Sequence, residues 1–274
     1  MRFTKPLAAL TVLATLTACS EAVTPGVSPD GQPRLIVNGT PTGSNFGNVG
    51  ALLFDFDRDG VIEGLDALCT GSLISPTVFL TAAHCVSFLP ADAQLYVSFD
   101  SELMPAPRNV IAAQAFHYDP QYGRDYGNLH DQAVVILPER ATRGITPLRL
   151  PPAGYLDHLA AQGNLSKQLF VNVGYGTSAS QTGVPHFGYD GVRKFSKSEF
   201  MGLKQNFLGL LMNNNATGEG GDCYGDSGGP KFIDGQHDMV VAIVVTGDVP
   251  CRATSWDYRM DTPSARNFLG QFVA

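Results

Sequence analysis

The chain has 274 residues, a length that β-sandwiches and β-barrels can reach as single units. Apolar residues make up 44% and charged residues 16%, with 30 glycines and 18 prolines, which excludes an intrinsically disordered chain. The formal net charge of -7 comes without a Lys/Arg cluster, which excludes a surface built to bind the phosphate backbone of a nucleic acid.

The amino terminus has the features of an export signal. Two basic residues precede a twelve-residue run of apolar and small residues at 7–18, which is too short to span a bilayer because a span takes about 20 apolar residues. The run ends in Leu16-Thr17-Ala18-Cys19, which resembles a bacterial lipobox. Residues 1–18 are therefore predicted to be a lipoprotein-type signal. An ordinary signal with a nearby cysteine is the alternative.

Export by either route places the mature chain in the extracellular space or the periplasm, which are oxidising compartments. The only membrane contact predicted is a lipid on Cys19. Residues 19–35 are rich in Pro, Gly, Ser and Asp without apolar periodicity, which is typical of a linker or propeptide.

A domain of short β-strands is predicted at 36–274. Apolar runs of strand length, separated by Gly, Pro, Asn and Asp, occur at Val49–Phe54, Val78–Leu80, Leu95–Phe99, Ala133–Leu137, Phe170–Val173 and Met239–Val245. No helical stripe of comparable length lies between them. One helix is predicted at 263–273, with one apolar face formed by Ala265, Phe268, Leu269 and Phe272. The pattern indicates an all-β fold, of the barrel type, with a short C-terminal helix.

Three short motifs point to nucleophilic chemistry. Ser227 lies in Gly225-Asp226-Ser227-Gly228-Gly229-Pro230, where glycines let the backbone approach a carbonyl and aim N–H groups at a developing oxyanion. His84 lies in Thr81-Ala82-Ala83-His84-Cys85, whose small residues leave the imidazole unhindered. Asp131 precedes an apolar strand and can orient a histidine from its buried edge. Each motif alone has a plain structural interpretation, as a tight turn, a packed histidine or a strand-end acid.

Together, in the order His, Asp, Ser, these motifs resemble the chymotrypsin (trypsin-like) family of serine peptidases. The resemblance includes Ile36-Val37-Asn38-Gly39 as a mature amino terminus, Cys69–Ile74 as a cysteine-bearing strand, and Gly174-Tyr175-Gly176 as an interdomain turn. It implies two six-stranded antiparallel β-barrels with the site between them. It also implies serine endopeptidase activity on proteins or peptides, with no cofactor and no catalytic metal.

The resemblance implies a role for each motif residue. Ser227 attacks the scissile carbonyl, His84 accepts and returns its proton, and Asp131 orients His84. The N–H groups of Gly225 and Ser227 form the oxyanion hole. Val240–Gly247, together with Cys251, resembles the strand and loop that bind the substrate backbone in the family.

The resemblance also selects a cysteine pairing. It implies the disulfides Cys69–Cys85 and Cys223–Cys251, although the cysteine count alone allows other connectivities. The remaining histidines lack the flanking motif and are expected at the surface: His117, His130, His158, His186 and His237.

Two features depart from the family pattern, and the first concerns activation. In the family, cleavage before the Ile-Val pair frees an amine that pairs with the acid before the serine, here Asp226. Leu35 precedes Ile36 and Arg34 lies one residue further back, so cleavage after Arg34 leaves one extra residue and the activating protease stays open. If Cys19 carries lipid, cleavage at 35–36 releases the domain from the membrane.

The second departure concerns specificity. The residue six before the serine, which floors the primary pocket in the family, is Gly221 rather than an aspartate. Asp222 beside it and Asp257 beyond Cys251 are two acids that slightly favour basic substrate side chains. Tyr224 is expected to narrow the pocket entrance.

An acidic loop at 55–66 has a separate interpretation. It reads D-x-D-x-D-G with an acid at the twelfth position, which is EF-hand calcium spacing with Asp66 in place of the usual Glu. The segment lies between two predicted strands without flanking helices. A solvated acidic hairpin loop is the alternative.

Parts of the sequence also match functional classes other than a serine peptidase. Gly225–Gly229 also matches the G-x-S-x-G of α/β-hydrolases, but that fold needs a histidine well downstream, and only His237 follows, ten residues on. The chain also lacks alternating strand–helix units, so that class is excluded. A triad-bearing fold kept as a binding or adhesion module, and a calcium-dependent interaction domain built on 55–66, stay open.

Overall fold

A computed structural model describes residues 39–181 and 183–273. The predicted export signal, Cys19, the propeptide and Ile36 lie outside the described residues. No helix within the described ranges is long and apolar enough to cross a membrane.

Sixteen β-strands and three short α-helices follow one another along these residues. The strands are β1 Thr40–Pro41, β2 Val49–Leu53, β3 Ala67–Ser75, β4 Val78–Thr81, β5 Tyr96–Ser98, β6 Ile111–Ala112, β7 Ala115–Tyr118, β8 Ala133–Ile136, β9 Leu169–Gly174, β10 Ser178–Ala179, β11 Phe187–Gly188, β12 Lys194–Leu203, β13 Phe207–Leu211, β14 Pro230–Ile233, β15 Ala242–Gly247 and β16 Thr254–Arg259. The α-helices are α1 Tyr155–Ala161, α2 Asn214–Thr217 and α3 Pro263–Leu269. Single 3-10 turns cover Gly64–Asp66, Ala83–Cys85, Glu139–Ala141 and Leu165–Lys167.

The first half of the chain forms an antiparallel sheet in the order β6-β5-β2-β3-β4-β8-β7. The strands at its two edges, β6 and β7, belong to one stretch of chain, 111–118. Ala113 N donates to Leu95 O at 2.9 Å, and the next residue, Gln114, donates to Ile136 O at 2.8 Å. The sheet therefore curves back on itself as a barrel of six chain segments.

The second half forms an antiparallel sheet in the order β1-β12-β13-β16-β15-β14-β9, and β12 also pairs with β9. That extra pairing runs from Lys194 opposite Gly174 to Glu199 opposite Leu169. It closes six strands into a barrel, with β1 added to the outside of β12. The predicted all-β architecture of two six-stranded barrels is confirmed.

Apolar side chains fill each barrel and the space between the two. Leu52, Leu73, Phe79 and Val135 lie in the core of the first barrel, with no exposed surface. A second cluster combines Val134 from the first barrel with residues of the second barrel, including Val171, Phe232 and Ile243. This shared cluster holds the two barrels against each other and sets the geometry of the cleft between them.

The C-terminal helix is confirmed, although it is shorter than predicted. In α3 the hydroxyl of Thr262 accepts a hydrogen bond from Ala265 N, and Pro263 occupies the first turn, an arrangement typical of helix starts. Ala265, Phe268 and Leu269 are buried as expected, but the helix ends at Leu269, four residues before the predicted end.

One helix between the strands, α1, is not indicated by the sequence, because it carries no long apolar stripe. This helix has seven residues and buries Leu156 against the second barrel. Leu156 N donates to Asp261 Oδ2 at 2.8 Å, so a distant carboxylate stabilises the helix start. One buried leucine in two turns is too weak a period to be recognised in the sequence.

Candidate active site

His84 and Asp131 are brought together at the edge of the first barrel. His84 lies in the 3-10 turn after β4, and Asp131 lies two residues before β8, which is the neighbour of β4. The Asp131 carboxylate accepts two hydrogen bonds from His84: from the backbone N to Oδ1 and from Nδ1 to Oδ2, each at 2.8 Å. Since Asp131 is 2% exposed, this contact is shielded from water. Because a carboxylate can only accept, this contact favours the tautomer with the proton on Nδ1.

Ser227 belongs to the second barrel and is anchored to the first. Its carbonyl accepts a hydrogen bond from Thr70 N at 2.9 Å, and the hydroxyl of Thr70 donates to Gly225 O at 2.9 Å. Gly228 N donates to Val244 O at 2.8 Å, which ties the same loop to β15. The serine loop is therefore fixed to both barrels, and Ser227 lines the same cavity as His84.

The third contact of the predicted triad is not formed as a hydrogen bond. Among residues 39–181 and 183–273, no hydrogen bond joins the Ser227 hydroxyl to the His84 ring. Catalytic hydrogen bonds are often long without substrate and tighten in the substrate complex. The structure thus places the two groups on one cavity, and their direct contact stays a prediction.

Two backbone N–H groups of the serine loop are left without a protein acceptor. Within the described part of the chain, neither Gly225 N nor Ser227 N donates a hydrogen bond, whereas Asp226 N between them donates to Cys223 O at 3.0 Å. Gly225 has φ +95°, a left-handed conformation that glycine adopts at low cost. Fixed, unpaired N–H groups beside a nucleophile are what an oxyanion hole requires.

The acid next to the serine, Asp226, points away from the cavity into the protein. It is 1% exposed and accepts hydrogen bonds from Gly176 N and Cys223 N, each at 2.8 Å. A Cβ on Gly174 or Gly176 would lie 2.1 or 2.2 Å from an Asp226 oxygen, so both must be glycine. Burial, and then the nearby charge of Asp222, raise the pKa of Asp226 to about 7.

Two disulfides brace the site, and both predicted pairings are confirmed. Cys69–Cys85 joins β3 to the histidine turn, and Cys223–Cys251 joins the serine loop to the segment after β15. Disulfides of this kind are typical of proteins in oxidising compartments.

Removing the first disulfide should destabilise the protein markedly. Changing both Cys69 and Cys85 to alanine opens a loop with a sequence separation of 16, which is expected to lower the free energy of unfolding by about 3 kcal/mol. Urea unfolding under oxidising conditions measures the difference. In reductant, where the native protein also loses the bond, the difference should vanish; equal stability under oxidising conditions would contradict the expectation.

The cavity between the barrels has a volume of about 370 Å³. Its lining includes Met212, Val244 and Val249 together with the Cys223–Cys251 disulfide, beside polar residues that include His84, Asp222, Ser227 and Asp248. Gly247 lines it at the end of β15, and its role in binding substrate stays a prediction.

Tyr224 lies on the cavity and is 51% exposed. Its hydroxyl donates to Val249 O at 3.0 Å, and its ring packs edge-on against Phe187 at 5.3 Å between centroids. These two contacts fix the Tyr224 side chain beside the cavity, and the narrowing of its entrance stays a prediction.

The predicted pocket acids have different positions. Asp222 lines the cavity. Asp257 is fully buried and is not among the lining residues, so the expectation that it faces the pocket is wrong. Gly221 is also not among the lining residues. A Cβ there would be 2.2 Å from Met212 Cγ and Sδ, so the side chain of Met212, a lining residue, packs directly on Gly221.

The expectation that His130 lies at the surface is wrong. His117, His158, His186 and His237 are exposed, as predicted. His130 is 8% exposed, and its Nδ1 lies 2.9 Å from Asp119 Oδ2. His130 adopts φ +52° and lies outside any strand, so the in-and-out alternation of side chains along a strand does not predict its direction. The buried acid eleven residues earlier, which no local pattern marks, accounts for the difference.

The acidic loop brings together only part of the predicted calcium set. Ligand oxygens of Asp55, Asp57 and Asp59 lie within 4.8 Å of one another. Asp66, the twelfth position, instead accepts a hydrogen bond from Glu63 N at 2.9 Å in a 3-10 turn. The calcium and hairpin interpretations both stay predictions. A melting temperature raised by Ca²⁺ and lowered by EDTA would support the first, and an unchanged one the second.

Comparisons with known proteins agree with this architecture. The family model described as Trypsin matches residues 58–267. A collagenase of Hypoderma lineatum is 26% identical over 186 residues, a match that spans 64% of this chain and 64% of that protein. The solved structure of HL collagenase has a TM-score of 0.61 at 20% identity, covering 86% of this chain and 97% of that one. The structure of HBP has a TM-score of 0.61 at 16% identity, covering 87% and 96%. The two structures show a shared fold, and since the family model covers more than half of the sequence, the chain belongs to the trypsin family of serine endopeptidases.

Proposed function

We propose that this protein is a serine endopeptidase that hydrolyses peptide bonds in proteins or peptides through His84, Asp131 and Ser227. The observation that carries the proposal is the double hydrogen bond from His84 to the buried Asp131, with His84 and Ser227 on one cavity. Membership of the trypsin family supports the same activity.

The reaction proceeds through an acyl-enzyme. His84 Nε2 takes the Ser227 proton as Oγ attacks the scissile carbonyl carbon, and the carbonyl oxygen becomes an oxyanion that accepts from Gly225 N and Ser227 N. Asp131 keeps the proton on Nδ1 and stabilises the imidazolium. His84 then protonates the leaving amine, the C–N bond breaks, and water reverses the same steps to release the acid.

The activity is proposed to appear only after cleavage before Ile36. Asp226 is buried, and among the described residues it forms no ion pair with a cationic side chain. A free Ile36 amine would supply the missing cation, and it would fix the Gly225–Ser227 N–H groups through the loop that carries Asp226. An activating protease is therefore a partner of the proposed zymogen.

The location of the protein is proposed to change with cleavage. If Cys19 carries lipid, the uncut chain is latent on the membrane and the cut chain is free and active, in the extracellular space or the periplasm. Full activity in membrane-bound, uncut protein would contradict this arrangement.

A fluorophosphonate probe tests the activity directly. With protein whose new amino terminus is verified as Ile36, we expect one adduct, on the peptide containing Ser227, and hydrolysis of a denatured protein. Ser227→Ala should abolish both, whereas Ser87→Ala, a half-buried serine three residues from His84, should change neither. Lack of adduct and of hydrolysis in the processed protein would contradict the proposal and favour a binding or adhesion module.

A further inference from the structure

A fully buried cation lies behind the wall of the cavity. Lys231 on β14 has no exposed surface, and its Nζ forms an ion pair with Oδ1 of Asp222, the acid that lines the cavity. Nζ also donates to Asn172 Oδ1 at 2.6 Å and lies 3.5 Å from Asp257 Oδ1. A buried ammonium is retained only where such partners compensate the loss of water.

Both oxygens of Asp222 are occupied from inside the protein. Oδ1 contacts Lys231, and Oδ2 lies 2.9 Å from the hydroxyl of Ser255. The Asp222 side chain is 5% exposed. A cationic substrate side chain would therefore have to compete with an ammonium that is already desolvated and in contact.

The charges of this cluster sum to zero when Asp257 is protonated. Burial raises the pKa of Asp257 to about 8. Burial acts to lower the pKa of Lys231, but the opposing effects, of which the charge of Asp222 is the largest, outweigh it and the pKa of Lys231 is raised. The hydroxyl of Ser255 is also 2.9 Å from Asp257 Oδ1. Because that hydroxyl has one proton, it can donate to Asp222 while a protonated Asp257 donates to it.

The remaining acid on the lining, Asp248, is bound to its own loop. Its oxygens accept from the backbone N of Arg252, Ala253 and Thr254 at 2.7 to 2.9 Å. Besides the two acids and the polar residues His84, Tyr224, Ser227 and Thr246, the lining consists of Met212, three valines, Gly247 and the Cys223–Cys251 disulfide.

We infer that Lys231 neutralises Asp222 from behind the wall, so that the primary pocket of the proposed peptidase selects an uncharged, apolar side chain rather than arginine or lysine. The inference rests on the proposed function and reverses the slight preference for basic substrates predicted from the two acids. Lys231 does not line the cavity and acts through Asp222, as a positioning residue for specificity.

Paired peptide substrates test the inference. With processed enzyme and two peptides that differ only in Leu or Arg before the scissile bond, the native protein should show kcat/KM at least tenfold higher for Leu. Lys231→Met keeps the length of the side chain and removes the cation, so the ratio should shift toward Arg by at least tenfold. The double variant Lys231→Met/Asp222→Asn has neither charge and should prefer Leu again. A purely structural role would lower both rates together and leave their ratio unchanged.

A second variant decides the case if Lys231→Met does not fold. Asp222→Asn should leave the Leu-to-Arg ratio within about threefold of the native value, because Asp257, whose Oδ1 lies 3.5 Å from Lys231 Nζ, can ionise in its place and keep the cluster neutral. A native preference for Arg, or loss of Arg cleavage in Asp222→Asn, overturns the inference. If the fluorophosphonate still labels Ser227 in that case, the proposed function stands; absence of both labelling and hydrolysis overturns the two together.

Discussion

Replacing Asp131 by asparagine is expected to lower kcat of the processed enzyme by about 10⁴-fold, with little change in stability. The amide keeps the shape of the carboxylate but turns an acceptor into a donor at one end. It can no longer accept from both His84 N and His84 Nδ1, which it now does at 2.8 Å each. The ring then populates the tautomer with its proton on Nε2, which cannot receive the Ser227 proton. Hydrolysis of a peptide ester, compared with urea unfolding, measures both effects.

The matched control is Asp119→Asn. Asp119 is also a buried carboxylate that contacts a histidine, with 4% exposure and a 2.9 Å contact to His130 Nδ1. It does not line the cavity. We expect kcat to change by less than about tenfold, since no proton transfer passes through it. Equal losses in the two variants would argue against Asp131 as the group that orients His84.

Replacing Asp226 by asparagine should prevent activation even when the chain is cut before Ile36. The amide has no charge to pair with the new amine, so the Gly225–Ser227 N–H groups are not fixed. Loss of one oxyanion donor lowers kcat on the order of 10²–10³-fold. Asp66→Asn, which changes a buried acid in a 3-10 turn, is the control and should activate normally. Activation of Asp226→Asn to the native rate would contradict the zymogen proposal.

In the uncut chain, Asp226→Asn is also expected to change how the free energy of unfolding depends on pH. The pKa of Asp226 is raised from 3.8 to about 7. Between these pH values the folded state keeps a proton on Asp226 that the unfolded state has lost. This stabilisation is complete below about pH 4 and disappears as the pH rises through 7, with a slope of at most about 1.4 kcal/mol per pH unit. Urea unfolding at pH 5 and pH 7 should therefore show a smaller loss of stability in Asp226→Asn than in the native precursor. Identical pH dependence would show that Asp226 is not the titrating group.

Two strands of the second barrel, β12 and β16, escaped recognition because charged residues within them are buried. β12 contains Lys194, which pairs with Asp190, and β16 contains Asp257 and Arg259, all within the second barrel. Arg259 is 2% exposed, and its guanidinium contacts Asp157 and Asp261 at 2.7 and 2.9 Å. Hydrophobic periodicity treats such residues as solvent-facing, although paired charges can lie inside a fold.

The sequence by itself determined the all-β architecture, the family resemblance and the disulfide pairing that follows from it. Short motifs also singled out His84 and Ser227, which have small or glycine neighbours in the chain, and Asp131, which precedes an apolar strand. Only the tertiary structure decided the ion pairing of Asp222 and the burial of His130. Lys231 reaches Asp222 and Asn172 from a different strand, and His130 reaches Asp119 across a loop. The electrostatic state of an ionisable side chain depends on the charges and the solvent within a few ångströms of it, and folding brings these together from distant segments.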